Sequence, residues 1–276
     1  MLTLSNAVPP AVTTGGDALS SLRPQRAGAV SITLDKVDKK YPTGVQALDP
    51  ISLQIAGGEF ISIVGPSGCG KSTLLRIVAG LVAPSSGACQ RPDNATAAFV
   101  FQEAALLPWR NVTRNAELLM ELEHYPLEER RVRAAEALKL VGIEGFEKLY
   151  PHQLSGGMRM RLSLARALAL RPDLMLLDEP LAAVDELTRD ILQEELSSLW
   201  QSAGFTGLLV THNVHEAVFL SNRVVIMSPR PGRVLGVLDI PFAFPRQREL
   251  RSTAEFAMLT GQVSAALRQR QGEITE

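Results

Sequence analysis

A glycine-rich stretch in the first third of the chain combines residue types that bind phosphate. It reads GPSGCGKST and follows the apolar run Phe60–Val64, which predicts an interior strand leading into the loop. Glycines let the backbone wrap closely around an anion, and a helix that starts after them adds free N–H groups. Lys71 would reach the β- and γ-phosphates, and Ser72 would offer a hydroxyl to Mg²⁺. The predicted phosphate-binding residues are Gly65, Pro66, Ser67, Gly68, Cys69, Gly70, Lys71, Ser72 and Thr73.

A Ser-Gly-Gly turn farther along the chain is a second candidate phosphate site. The sequence reads LSGGM over 154–158 and precedes a stretch with helical character. The first N–H groups of a helix have no partner within the helix, so a turn of this kind suits an anion. The residues predicted to contribute are Leu154, Ser155, Gly156 and Gly157.

Two carboxylates follow soon after this turn. The apolar run Leu174–Leu177 predicts a buried parallel strand that ends at Asp178 and Glu179. Open α/β sheets bind ligands at the carboxyl ends of their strands. Asp178 is the predicted Mg²⁺ ligand, because Mg²⁺ prefers oxygen donors and keeps several waters. Glu179 is the predicted general base for an attacking water.

The elements around these motifs predict an α/β protein. Val30–Leu34 and Ile51–Ile55 alternate apolar and polar residues, as half-buried antiparallel strands do. More strands are predicted at Ala97–Phe101, Gly207–Val210 and Val224–Met227, and a helix at 74–79, stopped by a glycine. The region 111–170 is largely helical and would be inserted into the α/β core. Residues 246–270 predict a C-terminal amphipathic helix that packs on the core.

Composition narrows the class of protein. The 276 residues are 46% hydrophobic with a formal net charge of −1, so they can bury a full core and give no general reason to expect nucleic acid. Cys69 and Cys89 lack metal-ligand spacing and indicate reduced thiols in a cytosolic protein. No apolar run reaches the roughly 20 residues that span a bilayer. Residues 1–28 predict a disordered leader and not a secretory signal.

The ordered set of Gly65–Thr73, Leu154–Met158 and Leu174–Pro180 resembles the ATP-binding subunits of ABC transporters. The resemblance extends over about residues 30–233. It implies a P-loop NTPase, RecA-like core with an N-terminal antiparallel β subdomain and an inserted helical subdomain at about 103–164. It also implies an ATPase domain over 29–245, a C-terminal helical tail over 246–276, and ATP and Mg²⁺ as ligands.

Four further residues acquire roles through this resemblance. Tyr41 matches the aromatic residue that stacks on adenine, although a core aromatic at a strand end is the alternative. Gln102 matches the glutamine that senses the γ-phosphate and Mg²⁺ beside the permease contact. His212 matches the switch histidine that orients the catalytic glutamate. Asp185 matches the aspartate in the loop that follows the catalytic glutamate. The chain departs from the family pattern at Met158, where many members carry Gln, and in the absence of a serine before Asp185.

The resemblance implies that two copies of the chain sandwich two ATP molecules head to tail. It places the protein peripherally on the cytoplasmic face of the inner membrane, against integral permease subunits and, indirectly, a solute-binding protein. The segments Leu107–Val112 and Ser228–Arg233 resemble the corresponding segments of ATP-binding subunits from importers of nitrate, taurine and other sulfonates. The alternatives are a lipid-trafficking or export ATPase and, with less support, an ABC ATPase that acts on DNA or ribosomes.

Overall fold

The computed structural model describes residues 29–182 and 184–269. The predicted leader at 1–28 lies outside these residues. The strands are β1 (Ile32–Lys40), β2 (Gln46–Ile55), β3 (Phe60–Val64), β4 (Ser86–Gln90), β5 (Ala97–Val100), β6 (Leu174–Asp178), β7 (Thr206–Thr211), β8 (Arg223–Met227) and β9 (Val234–Asp239). The α-helices are α1 (Lys71–Val78), α2 (Val112–Ala116), α3 (Leu118–Leu122), α4 (Leu127–Leu140), α5 (Gly156–Ala169), α6 (Glu186–Ala203), α7 (Val214–Leu220) and α8 (Ala254–Gln269).

The large sheet brings the predicted motifs to one edge. Its strand order within the described residues is β5-β6-β7-β3-β8-β9, with parallel pairing from β5 to β8 and an antiparallel last strand. Strands β3 and β6 are buried at every position, as their continuous apolar sequences predict. Because parallel strands end at the same edge, the residues after β3, β5, β6 and β7 lie near one another.

The predicted antiparallel sheet is confirmed. Strand β1 pairs with β2 and β4 in antiparallel register, and Ile32 stands opposite Ile55. The apolar side chains of this sheet share a core with α1 and with one face of the large sheet, including Leu48, Leu74 and Val210. The small sheet therefore lies against the helix that follows the glycine-rich loop.

The predicted helical insert is present between β5 and β6. It contains α2 to α4 and enters the core through α5. The residues of α5 from Leu162 to Ala169 are buried, whereas its first turn is exposed or half-buried. None of the helices in the described residues is long and apolar enough to cross a membrane. The boundaries predicted for the subdomain, 103–164, stay a prediction.

The C-terminal helix begins later than predicted. Residues Arg248–Ser252 form a 3₁₀ turn, and α8 starts at Ala254. Arg246 is buried and donates hydrogen bonds to the carbonyls of Val218 and Phe219 at the end of α7, which holds this part of the chain outside a helix. Phe256 is buried in the large core, so α8 packs on the core as predicted.

Candidate functional site

The glycine-rich loop joins β3 to α1 and encloses a buried amine. Lys71 is 5% exposed, and its Nζ donates to the carbonyls of Gly65 and Pro66 at 2.9 Å each. No carboxylate forms an ion pair with it within the residues described, so its positive charge has only carbonyl dipoles as direct partners. Such a cation suits the negative charge of phosphate.

Gly70 explains why this loop needs glycine at its last turn. Its φ is +105°, and a β-carbon there would lie 2.7 Å from the carbonyl oxygen of Ala47. An L-residue would therefore be strained both by its backbone angle and by the neighbouring strand. The glycine lets α1 begin directly against the small sheet.

Two of the predicted magnesium ligands, Ser72 and Asp178, are hydrogen-bonded to each other. Ser72 Oγ donates to Asp178 Oδ1 at 2.8 Å across 106 residues of sequence. Burial raises the pKa of Asp178, and the Ser72 hydrogen bond opposes this rise. The described residues hold no group of three His, Cys, Asp or Glu side chains that could bind a metal by themselves. The hydroxyl and carboxylate fit Mg²⁺ that takes its other ligands from phosphates and water.

Glu179 and His212 form a pair at the ends of adjacent strands. His212 Nδ1 lies 2.9 Å from Glu179 Oε2. The Glu179 backbone has a φ of +47°, and its N–H donates to the carbonyl of Val210 at 2.8 Å. A glutamate in the left-handed region is uncommon, and strain of this kind concentrates at functional sites. The strain fixes the direction in which the carboxylate leaves the sheet edge.

The cavity above the glycine-rich loop measures about 420 Å³, which falls within the roughly 300 to 1,000 Å³ that is usual for small-molecule sites. It brings together Tyr41, Lys71, Gln102 and Glu179. The other predicted residues that line it are Ser67, Gly68, Gly70, Ser72 and Thr73. We refer to this space as the P-loop cavity.

Three predicted residues of the loop, Gly65, Pro66 and Cys69, support the P-loop cavity without lining it. Cys69 is 1% exposed and belongs to the core, and burial raises the pKa of its thiol. Gly65 and Pro66 supply the carbonyls that accept from Lys71.

Tyr41 Oη lies 3.3 Å from Thr73 Oγ1, and its ring is half-buried at the cavity wall. Its stacking on adenine stays a prediction.

The Ser-Gly-Gly turn lines a different cavity of about 570 Å³, together with Asp185. Ser155 Oγ accepts from the N–H of Met158 at 3.2 Å, which caps α5. Asp185 Oδ1 accepts from the N–H of Thr188 at 3.0 Å, which caps α6 and lowers the pKa of this carboxyl. Leu154 is buried in the core. We refer to this space as the signature cavity.

Glu216 and Arg230 are charged residues near the site that the sequence did not predict. Glu216 on α7 is buried behind His212 and accepts from Thr211 Oγ1, and burial raises its pKa to about 7. Arg230 lines the P-loop cavity from the turn after β8. Glu216 lies on α7, four residues after His212 in the sequence, and no motif in the sequence marks it. Arg230 lies in a segment that the sequence associated only with a subfamily.

Comparison with known proteins gives a consistent result. The family described as ABC transporter matches residues 48–182. The taurine import ATP-binding protein TauB of Yersinia pestis is 45% identical over 205 residues, covering 72% of this chain and 80% of that protein. The nitrate import ATP-binding protein NrtC of Synechococcus elongatus is 43% identical over 259 residues, covering 88% of this chain and 39% of that protein.

The fold also matches a solved structure. A dimeric ATP-binding cassette in a post-hydrolysis state, bound to ADP and Pi, superposes with a TM-score of 0.69 and 33% sequence identity. The match covers 77% of this chain and 100% of that one. The predicted fold class, a P-loop NTPase core with an antiparallel β sheet and a helical insert, is therefore confirmed.

Proposed function

Since the chain belongs to the family of ABC transporter ATP-binding proteins, we propose that it is the ATP-hydrolysing subunit of an importer for a small solute. The candidate solutes are nitrate, taurine or another sulfonate, and related small solutes. The import functions named for TauB and NrtC support this choice. The solute itself would be selected by the permease and a solute-binding protein, because the site described above recognises nucleotide.

The separation of the two cavities is the observation that carries the proposal. Among the residues that the structure describes, none lines both the P-loop cavity and the signature cavity. We infer that a Ser-Gly-Gly turn that binds phosphate serves the P-loop of another copy of the chain. Two copies arranged head to tail meet this condition, and the matched cassette structure is dimeric. Each ATP would then lie between the P-loop cavity of one copy and the signature cavity of the other.

The residues of the P-loop cavity divide the work on ATP. Lys71 would donate to phosphate oxygens, and Tyr41 would stack on adenine. Ser72, Asp178 and Gln102 would hold Mg²⁺. The ion would neutralise charge on the phosphates.

Hydrolysis would depend on the pair at the strand ends. Glu179 Oε2 would accept a proton from the attacking water, and His212 would fix the direction of that carboxylate through its Nδ1 contact of 2.9 Å. In the closed dimer Ser155 and the N–H groups of Gly156 and Gly157 would contact the partner's phosphates.

ATP would couple hydrolysis to transport by favouring closure of the dimer. It contacts both copies only when they are closed, so its differential affinity shifts the population toward the closed state. Product release would reopen the pair. Permease subunits bound to the dimer at the cytoplasmic face of the inner membrane would follow this cycle.

The test of the catalytic assignment is Glu179→Gln. The amide keeps the size of the side chain but cannot accept the proton, so kcat should fall by roughly 10²- to 10⁴-fold. ATP affinity should stay within a few-fold of the wild type, measured by calorimetry. Glu186→Gln is the matched control, because Glu186 is exposed at the start of α6. Turnover near normal in Glu179→Gln would remove Glu179 from the role of base.

The test of the transport assignment is co-purification from membranes. A multi-span permease that remains bound to the tagged chain supports an importer or exporter, whereas DNA or ribosome association contradicts both. Reconstitution of the complex in vesicles with candidate solute-binding proteins then identifies the solute. The correct solute-bound protein should raise ATPase activity, and nitrate and taurine are the first two solutes to compare.

A further inference from the structure

The turn between β8 and β9 is built to hold a fixed shape. Ser228 Oγ lies 2.8 and 3.0 Å from the carbonyl oxygens of Pro229 and Pro231, which share its single hydroxyl proton, and it accepts from the N–H of Arg233 at 3.0 Å. The N–H of Ser228 also donates to the carbonyl of Arg233 at 2.9 Å. One serine therefore closes the turn from both sides, and the side chain between its two prolines leaves from a defined point.

This turn is fastened to the small sheet and to the glycine-rich loop. The N–H of Gly232 donates to the carbonyl of Ala47, and its own carbonyl accepts from the N–H of Asp49, both at 3.0 Å. A β-carbon at Gly232 would lie 2.1 Å from the carbonyl oxygen of Cys69. Only glycine permits this approach, so the turn and the P-loop keep their relative position.

Arg230 extends from the turn across the P-loop. Its Nε donates to the carbonyl of Gly68 at 3.0 Å, and a β-carbon at Gly68 would lie 3.3 Å from Arg230 Nη2. The guanidinium therefore lies directly on the loop, and it lines the P-loop cavity together with Lys71 and Ser72.

The charge of Arg230 has no carboxylate partner within the residues described. Arg223, at the other end of β8, differs in this respect, because its Nε lies 2.5 Å from Glu59 Oε1. An arginine carries five N–H donors, and the bond to Gly68 uses one of them. The Nη groups of Arg230 remain available on the wall of a cavity suited to polyphosphate.

We propose that Arg230 is a further ATP-binding residue, which donates from its Nη groups to phosphate oxygens while its Nε stays on the Gly68 carbonyl. The inference rests on the proposed function, since it concerns the same nucleotide. Planar guanidinium groups pair well with phosphate oxygens, and such charge-assisted bonds are stronger than neutral ones. Arg230 and Lys71 would then bring positive charge to the triphosphate from two separate elements of the fold.

Three substitutions separate charge from support of the loop. Arg230→Ala removes both, Arg230→Gln keeps an N–H donor for the Gly68 carbonyl but no charge, and Arg230→Lys keeps the charge. Dissociation constants for ATP and ADP, measured by calorimetry, should rise roughly 10-fold in Arg230→Ala and Arg230→Gln. Arg230→Lys should recover part of the affinity. Raising the salt concentration should reduce the difference between wild type and Arg230→Ala.

Steady-state kinetics supply a second readout. A group that binds ground state and transition state alike changes KM more than kcat, so Arg230→Ala should raise KM for ATP about 10-fold and change kcat less than 3-fold. Arg233→Ala is the matched control, since Arg233 is exposed on the same turn and does not line the cavity. It should bind ATP like the wild type.

The outcomes distinguish this inference from the proposed function. Arg230→Gln with wild-type affinity would overturn the inference, because the residue would then act only by holding the loop. Equal losses in Arg230→Ala and Arg233→Ala would also overturn it. Lys71→Ala is the positive control for loss of binding. Failure of the wild-type chain to bind ATP would contradict the proposed function itself.

Discussion

The P-loop cavity and the signature cavity differ in how the chain builds them. At the P-loop cavity and directly beside it, the bond from Ser72 to Asp178 joins residues 106 positions apart, and Lys71 and Asp178 are each 5% exposed. In the signature cavity Ser155 and Asp185 are both exposed, and each caps a helix by accepting a hydrogen bond from the N–H three residues later. The first site is arranged by tertiary structure, and the second by local caps.

This difference shows which half of an ATP site one chain can prepare alone. The buried lysine and aspartate already hold their positions through hydrogen bonds within the core, so little reorganisation is needed when nucleotide binds. The exposed caps of the signature cavity offer N–H groups, and among the described residues that line it Arg161 is the one cation. Their contribution depends on what a partner brings to them.

Mixing two inactive variants is the strongest test of this division. Lys71→Ala should disable the P-loop cavity, and Gly157→Asp should disable the signature cavity by placing a carboxylate where phosphate is expected. Each variant alone should lose ATPase activity by roughly 100- to 1000-fold. An equal mixture should recover about a quarter of the wild-type activity, since half of the dimers contain one intact composite site.

The recovery in the mixture decides between a shared and a self-contained site. If each chain completed its own site, mixing would restore nothing, because every chain would still carry one defect. Gly157→Asp should fold, because a β-carbon at Gly157 would approach Thr188 Cγ2 only to 3.9 Å and an acidic residue suits the first turn of a helix. Circular dichroism of both variants checks their folding before they are mixed.

The stability of the chain should depend on pH through Glu216, which lies on α7 after His212. The pKa of Glu216, at about 7, lies above the ordinary value of 4.5 because burial disfavours its charge, although Thr211, Arg189 and His212 oppose the shift. The folded state therefore keeps a proton that the unfolded state loses, and stability falls as pH rises from 4.5 through 7. The loss from this group should be at most about 3 kcal/mol.

Glu216→Gln removes this titration and isolates it. The free energy of unfolding in urea, compared between variant and wild type, should shift in favour of the variant as pH rises from 5 to 8. Glu255→Gln provides the control, because Glu255 is exposed at the start of α8. The difference in free energy of unfolding between Glu255→Gln and the wild type should stay constant from pH 5 to 8. A constant difference for Glu216→Gln as well would contradict a protonated Glu216 in the folded state.

Parts of the fold that depend on continuous apolar patterns could be predicted from the sequence. Strands β3 and β6 are such cases, because burial on both faces demands apolar residues throughout. Strand β4 was missed: its sequence SGACQ is exposed or half-buried and pairs with β1 at the margin of the small sheet. Strand β9 was missed as well, because all its positions are half-buried or exposed and no alternation marks it.

The site was predictable where it follows strand ends and unpredictable where it depends on packing. Asp178 and His212 end buried strands, so the rule for parallel sheets brings them together. Arg230 reaches the P-loop only because its turn is fastened to Ala47 and Gly232 is pressed against Cys69. No spacing in the sequence encodes that contact.

The smallest expected effect separates the two uses of Ser155. Its hydroxyl caps α5 in the free chain, so Ser155→Ala should lower the free energy of unfolding by about 1 kcal/mol. Ser155→Asp should restore that stability, because aspartate is also a good cap and its charge suits a helix start. ATP hydrolysis should not recover in Ser155→Asp, since the carboxylate repels the phosphates of the ATP held by the partner. Ser155→Thr should recover both stability and hydrolysis. Recovery of ATPase activity in Ser155→Asp would show that the hydroxyl acts only as a cap, and the signature cavity would lose its assignment as half of an ATP site.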